Sequence, residues 1–207
     1  MYRTVVVDGG ETTQINAYPI ADSSKAQIGY HNARPEAPRL WFGFDGNYGD
    51  KITVQMGVPV LDRFRLLRPK AALVAPGLPQ PEEPLPFPLP YGYGAVIYDT
   101  ASLDVASRTE SFTGTQSWVF ETDSFFLPQE GRAYLVGYVP GGGAGKFWMT
   151  VGTERQFRFA DIFTILKRTA QIRAFHEISP GLGVSFWQSF ILAGFAILGT
   201  ILAVLPS

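Results

Sequence analysis

The chain has 207 residues, 17 basic and 18 acidic side chains, two histidines and no cysteine, for a net charge of −1. That is room for one globular domain with an appendage, and near-neutrality leaves no basic footprint for a nucleic-acid binder. The missing cysteines exclude disulfide scaffolds, thiol catalysis, iron–sulfur clusters and Cys-ligated zinc. The charges are unevenly placed: every one lies at or before Glu177, and residues 178–207 carry none. The pattern divides the chain between two solvents.

Residues 1–158 read as a mainly β domain, an antiparallel β-sandwich or jelly roll. Val5-Val6-Val7 is a β-branched run. Residues 39–44 are rich in aromatics and end at Asp45-Gly46-Asn47, a turn signal. Residues 51–56 alternate polar and apolar, as a half-buried strand does. Further runs fall at 71–75, 95–98, 117–121, 133–139 and 146–151. The last two flank Pro140-Gly141-Gly142-Gly143-Ala144-Gly145, which reads as a hairpin loop. Residues 76–90 hold seven prolines in fifteen positions, so this stretch is expected as a polyproline-like excursion that joins no ladder. It is read as a stiff loop lying on the domain or clamped by a partner, with a proline-motif ligand as the alternative.

A family resemblance lies in the order of these segments. Phe44 is followed by Gly49-Asp50-Lys51-Ile52-Thr53-Val54, then Arg68-Pro69-Lys70-Ala71-Ala72-Leu73-Val74 and Ala75-Pro76-Gly77-Leu78-Pro79. Next come residues 125–127, Gly131-Arg132-Ala133-Tyr134-Leu135-Val136 and Lys146-Phe147-Trp148-Met149-Thr150-Val151-Gly152. Residues 42–152 in this order resemble the β-sandwich modules of the pre-peptidase C-terminal type found in exported bacterial proteins. The resemblance implies an accessory, non-catalytic module.

Little in the sequence points to chemistry. His31 falls in a loop-like Tyr30-His31-Asn32 and His176 just before the uncharged tail, and neither has a ligand at metal spacing. The glycine run before Lys146 fails as a phosphate loop, because Pro140 replaces the first glycine and Phe147 the Ser or Thr. Asp45, Asn47 and Asp50 could offer calcium ligands, but a hairpin turn with local side-chain bonding is the commoner meaning. Glu82-Glu83 reads as a solvated acidic pair. Trp41, Trp118 and Trp148 are core residues or a sugar-stacking platform, and Met56 and Met149 are core fillers before they are haem ligands. No catalytic residue, metal or cofactor is expected.

Residues 159–181 read as an amphipathic juxtamembrane segment. Ile162, Phe163, Leu166, Ala170 and Phe175 fall near one face, and Lys167, Arg168 and Arg173 on the other, where anionic headgroups would meet them. The alternative is a helix closing off the β domain. Residues 182–205 are expected to be a single transmembrane helix. At about 1.5 Å per residue this run covers the roughly 30 Å hydrocarbon core with some tilt. Ser185, Ser189, Ala193, Ala196, Thr200 and Ala203 form a small-residue seam that lets helix backbones approach closely. The expected partners are therefore the bilayer and other transmembrane subunits.

Orientation pits two arguments against each other. Lys167, Arg168 and Arg173 place the domain in the cytoplasm by the positive-inside rule, as a tail-anchored protein without a leader. The resemblance places it outside, in the periplasm, and that side is taken as the expectation. The resulting functional expectation is a non-catalytic accessory or structural subunit of a larger membrane complex, with respiratory and photosynthetic assemblies as natural hosts. The alternative is a membrane-tethered carbohydrate- or calcium-binding module.

Overall fold

The computed structural model describes residues 3–7, 13–154 and 162–178. The strands are β1 (Arg3–Val7), β2 (Tyr18–Pro19), β3 (Gln27–Ala33), β4 (Arg39–Gly46), β5 (Lys51–Pro59), β6 (Lys70–Pro76) and β7 (Tyr93–Asp99). They continue with β8 (Val105–Glu110), β9 (Thr115–Phe120), β10 (Asp123–Phe126), β11 (Gly131–Tyr138) and β12 (Gly145–Val151), and helix α1 spans Ile162–Phe175. The fold is mainly β, in two sheets. The first runs β1-β3-β12-β5-β9-β8, with β10 also on β5, and the second runs β2-β4-β11-β6-β7. The β1–β3 and β2–β4 pairs are parallel and the rest antiparallel.

Alternation along the strands builds the core. Leu40, Phe42 and Phe44 of β4, Leu73 of β6 and Leu135 of β11 point from the second sheet into one cluster. Ile52, Val54, Met56 and Val58 of β5 and Phe147, Met149 and Val151 of β12 enter it from the first sheet. One apolar layer is therefore shared between the two sheets, a sandwich-like arrangement. Met56 and Met149 are cross-strand partners within it, both fully buried.

Both sheets are also apolar on their outer faces, which is why β4, β6, β11 and β12 read as near-continuous hydrophobic runs. On the second sheet, Trp41, Val74, Tyr134, Val136 and Tyr138 form an outer cluster with Phe87 of the proline-rich loop. The Phe87 ring stands edge-on to Trp41 at 4.9 Å and to Tyr138 at 6.0 Å. Arg39 Nη1 donates to Pro86 O at 2.8 Å, and the Ala95 N–H donates to Pro79 O at 2.8 Å. A side chain at Gly94 would meet Leu78 O at 1.9 Å, so only glycine admits the loop there. The proline excursion thus lies on its own domain and covers an apolar face.

Several sequence expectations change. The glycine-rich segment 140–145 is no hairpin, because β11 and β12 belong to different sheets and the segment crosses between them. Residues 46–50 likewise carry the chain from the second sheet to the first. His31 is not in a loop: it is fully buried in β3, its ring edge-on to Phe147 at 5.4 Å. β2, β3, β8 and β10 are strands that periodicity did not mark.

Phe87→Ala should free the proline loop and cost about 3 kcal/mol, as for other buried Phe truncations. Urea unfolding and proteolysis within residues 77–92 would measure this, with faster cleavage expected in the variant.

Candidate functional site

The most chemically structured place is the outer face of the first sheet. Tyr30 and Ile28 of β3, Val119 of β9 and Trp148 of β12 form an apolar patch, on which Ile172 and Phe175 of α1 are buried. The Trp148 indole lies so close over β5 that a Cβ at Gly57 would come within 2.2 Å of it. Tyr30 meets Phe175 at 5.2 Å and His176 at 5.9 Å, both edge-on. Beside the helix, Tyr30, Trp148 and His176 border a cleft of about 220 Å³ together with Gln55, Arg108 and Glu110.

A hydrogen-bond chain runs through this packing. His176 Nδ1 lies 2.8 Å from Ile172 O, which can only accept, so Nδ1 carries the proton. Nε2 is then free to accept from Ser117 Oγ at 3.0 Å, and Trp148 Nε1 donates to the same Oγ at 3.0 Å. All three side chains are buried. Burial pushes the His176 imidazole below its ordinary value, and the Lys146 ammonium adds to the shift against the opposing effect of the bond His176 donates to Ile172 O. Burial also pushes the Tyr30 phenol up, with the charge of Glu110 adding.

This tautomer is the one a serine nucleophile needs. Ser117, however, sits mid-strand in register with Pro59 and Arg108, so its own backbone is not displayed as an oxyanion donor. What the chain of bonds accomplishes directly is to lock the end of α1 to the sheet. It lay beyond sequence reasoning because Ser117 and His176 are 59 residues apart.

The helix then ends in a Schellman turn. Ile178 N donates to Arg173 O at 3.0 Å and Glu177 N to Ala174 O at 3.0 Å, with Glu177 at φ 58°. A left-handed Glu is strained, and two cations hold it: Lys146 Nζ at 2.7 Å and the Arg63 guanidinium. Hydrogen bonds from Lys146 and then Arg63 depress the Glu177 carboxyl below the usual range. Arg173, read as lipid-facing, is half-buried and donates to Thr113 O at 2.8 Å. Among its described side chains α1 turns Thr169, Ile172 and Phe175 inward, followed by His176 just past its end. Phe175 is expected there, whereas Ala170 is exposed and the side chains of Ile162, Phe163 and Leu166 lie outside the described residues. Arg168 is partly exposed; the side chain of Lys167 lies outside the described residues. So do Ser185, Ser189, Ala193, Ala196, Thr200 and Ala203, with the whole of 182–205. No described helix is long and apolar enough to cross a membrane.

The remaining candidates separate. Trp41, Trp118 and Trp148 fall in three different clusters, not on one platform. Asp45 faces Arg132 at 3.3 Å, and Asp50 Oδ2 accepts from the Asn47 N–H at 2.7 Å, which is the local bonding expected of that turn. Among the described residues no three His, Asp or Glu side chains group as a metal site. Glu83 is not merely solvated: Lys70 bridges it at 3.0 Å and Asp99 at 2.7 Å beside a second cleft of about 400 Å³ under the proline loop.

No family model and no curated protein matches the chain. One similar solved structure is mercury-soaked MopE, a secreted protein of Methylococcus capsulatus in which an oxidised tryptophan facilitates copper binding. It is 11% identical, aligned over 74% of this chain and 100% of that one, at a TM-score of 0.31. A likeness that slight carries no argument, and neither result bears on the pre-peptidase resemblance.

The folded protein holds fewer protons at His176 than the unfolded chain. Stability should therefore be full above the ordinary imidazole value near 6.5 and fall as pH drops through it. Lys146, Arg108, Glu110, Glu177 and Tyr30 are the charged and titratable groups that face the ring or its cleft. His176→Phe should flatten that slope in urea titrations at pH 5 to 8, while costing about 1 kcal/mol at neutral pH because Ser117 loses its acceptor. Glu177→Ala should lose the ion pairs and keep the strained backbone, at about 1 kcal/mol. Glu177→Gly should come out near neutral in the same measurement, because glycine relieves about 1 kcal/mol of left-handed strain.

Proposed function

We propose that this chain is a non-catalytic accessory subunit of a membrane protein complex, a β-sandwich module tethered by one C-terminal helix. The observation that carries the reading is where α1 ends. The chain leaves the sheets through the Schellman turn at Glu177, and Glu177 is also the last charged residue of the sequence. Immediately beyond begins the uncharged stretch whose length suits a membrane span.

The covered outer faces support a bracing role. The chain spends its proline loop and α1 on covering its own sheets, which leaves a stiff body for contact with neighbours. The small-residue seam would dock the span against other transmembrane helices. Respiratory or photosynthetic assemblies are suitable hosts, and the resemblance to exported modules favours an extracytoplasmic domain. The carbohydrate- or calcium-binding alternative gains nothing from the separated tryptophans or the engaged Asp45 and Asp50.

Carbonate washing of membranes containing the full chain should leave it in the pellet, and mild detergent should release it with stoichiometric membrane partners. Release by carbonate, or a monomer without companions in detergent, would contradict the proposal.

A further inference from the structure

The β5–β6 connection, Asp62-Arg63-Phe64-Arg65-Leu66-Leu67-Arg68, lies at the end of the sandwich from which the tail departs. A 3-10 turn at Asp62–Phe64 begins it. Phe64 and Leu67 turn inward onto the core, and a Cβ at Gly145 would touch Leu67 at 2.6 Å. That spacing throws Arg63, Arg65 and Leu66 outward, and Leu66 is 85% exposed. Arg68 stays partly buried, its guanidinium donating to Arg65 O and Leu67 O at 3.1 Å. With Lys146 beside them, four cations share this end with the carboxylates of Asp62 and Glu177.

The Arg63–Glu177 ion pair places the segment against the exit point. From Glu177 to Leu182 the chain spans at most about 17 Å, at about 3.4 Å per residue. A span beginning at Leu182 therefore holds this basic end within reach of the headgroup layer, where the screening length is about 8 to 10 Å. An exposed leucine flanked by arginines suits that layer, with the apolar tip at the acyl boundary and the cations at phosphates.

We infer that Arg63, Arg65 and Leu66, braced from beneath by Arg68, form a second membrane contact, a loop that rests on anionic lipid headgroups and fixes the tilt of the module on its tether. The inference builds on the tether proposed above. Its occupant is the bilayer surface, singled out by charge complementarity and by the short reach from Glu177.

The cysteine-free sequence allows a clean test. Full chain carrying Leu66→Cys is labelled with an environment-sensitive dye and reconstituted into vesicles of phosphatidylcholine, with or without phosphatidylglycerol. A Tyr91→Cys control reports from the opposite end of β6 and β7, where Tyr91 is fully exposed. In anionic vesicles the Leu66 dye should shift to the blue and be quenched by nitroxide-labelled lipid, and the Tyr91 dye should do neither. Adding Arg65→Ser should weaken lipid contact at Leu66 about fivefold, the effect of one surface cation. A carbonate-resistant chain whose Leu66 dye remains in water overturns the contact and leaves the tether standing. Carbonate release overturns both. Equal lipid contact in neutral vesicles overturns the assignment to anionic headgroups.

Discussion

The structure depends on how the end of α1 is held to the first sheet. That sheet turns an apolar outer face, Ile28, Tyr30, Val119 and Trp148, toward water, and something must cover it. Ile172 and Phe175 do so, each contributing about 1.5 to 3 kcal/mol of burial. Apolar contact alone would let a short helix slide. The bonds from Trp148 to Ser117 to His176 fix its register, since each buried polar group in that chain would be left unpaired by a shift. The Glu177 turn, clasped by Lys146 and Arg63, then sets the direction in which the chain leaves.

The second sheet solves the same problem differently. Its outer aromatic face is covered by a loop that proline stiffens, so less conformational entropy is lost on docking. Two covered faces make a body with few soft edges, consistent with a bracing role in a complex.

The sequence was informative where burial follows a period. β4, β5, β6, β11 and β12 were legible because their alternating or continuous apolar runs are what two-sided burial requires. β8 was not, since all six of its residues are exposed and leave no apolar pattern. β3 was obscured by Tyr30-His31-Asn32, whose polar members looked like a loop although His31 is buried by pairing with Ala37 O at 2.9 Å. The glycine-rich segment 140–145 had hairpin chemistry, and only the sheet topology reveals a crossover. In the candidate site, amphipathicity identified α1 and turned Phe175 inward as found, but it also turned Ala170 inward, which is exposed. The inward Thr169 and His176 are polar, so they carry no weight in an apolar count. The Ser117–His176 pair is a product of tertiary structure and had no sequence signal beyond the presence of both residue types.

α1 is docked through its final turn, which fixes the point at which the chain leaves the sheet. Native-state hydrogen exchange at the amides of His176, Glu177 and Ile178 tests it most directly, because each is bonded back into the helix. Protection comparable to that of the core amides of β12 is expected at neutral pH. Exchange at the rate of an unstructured chain would contradict it.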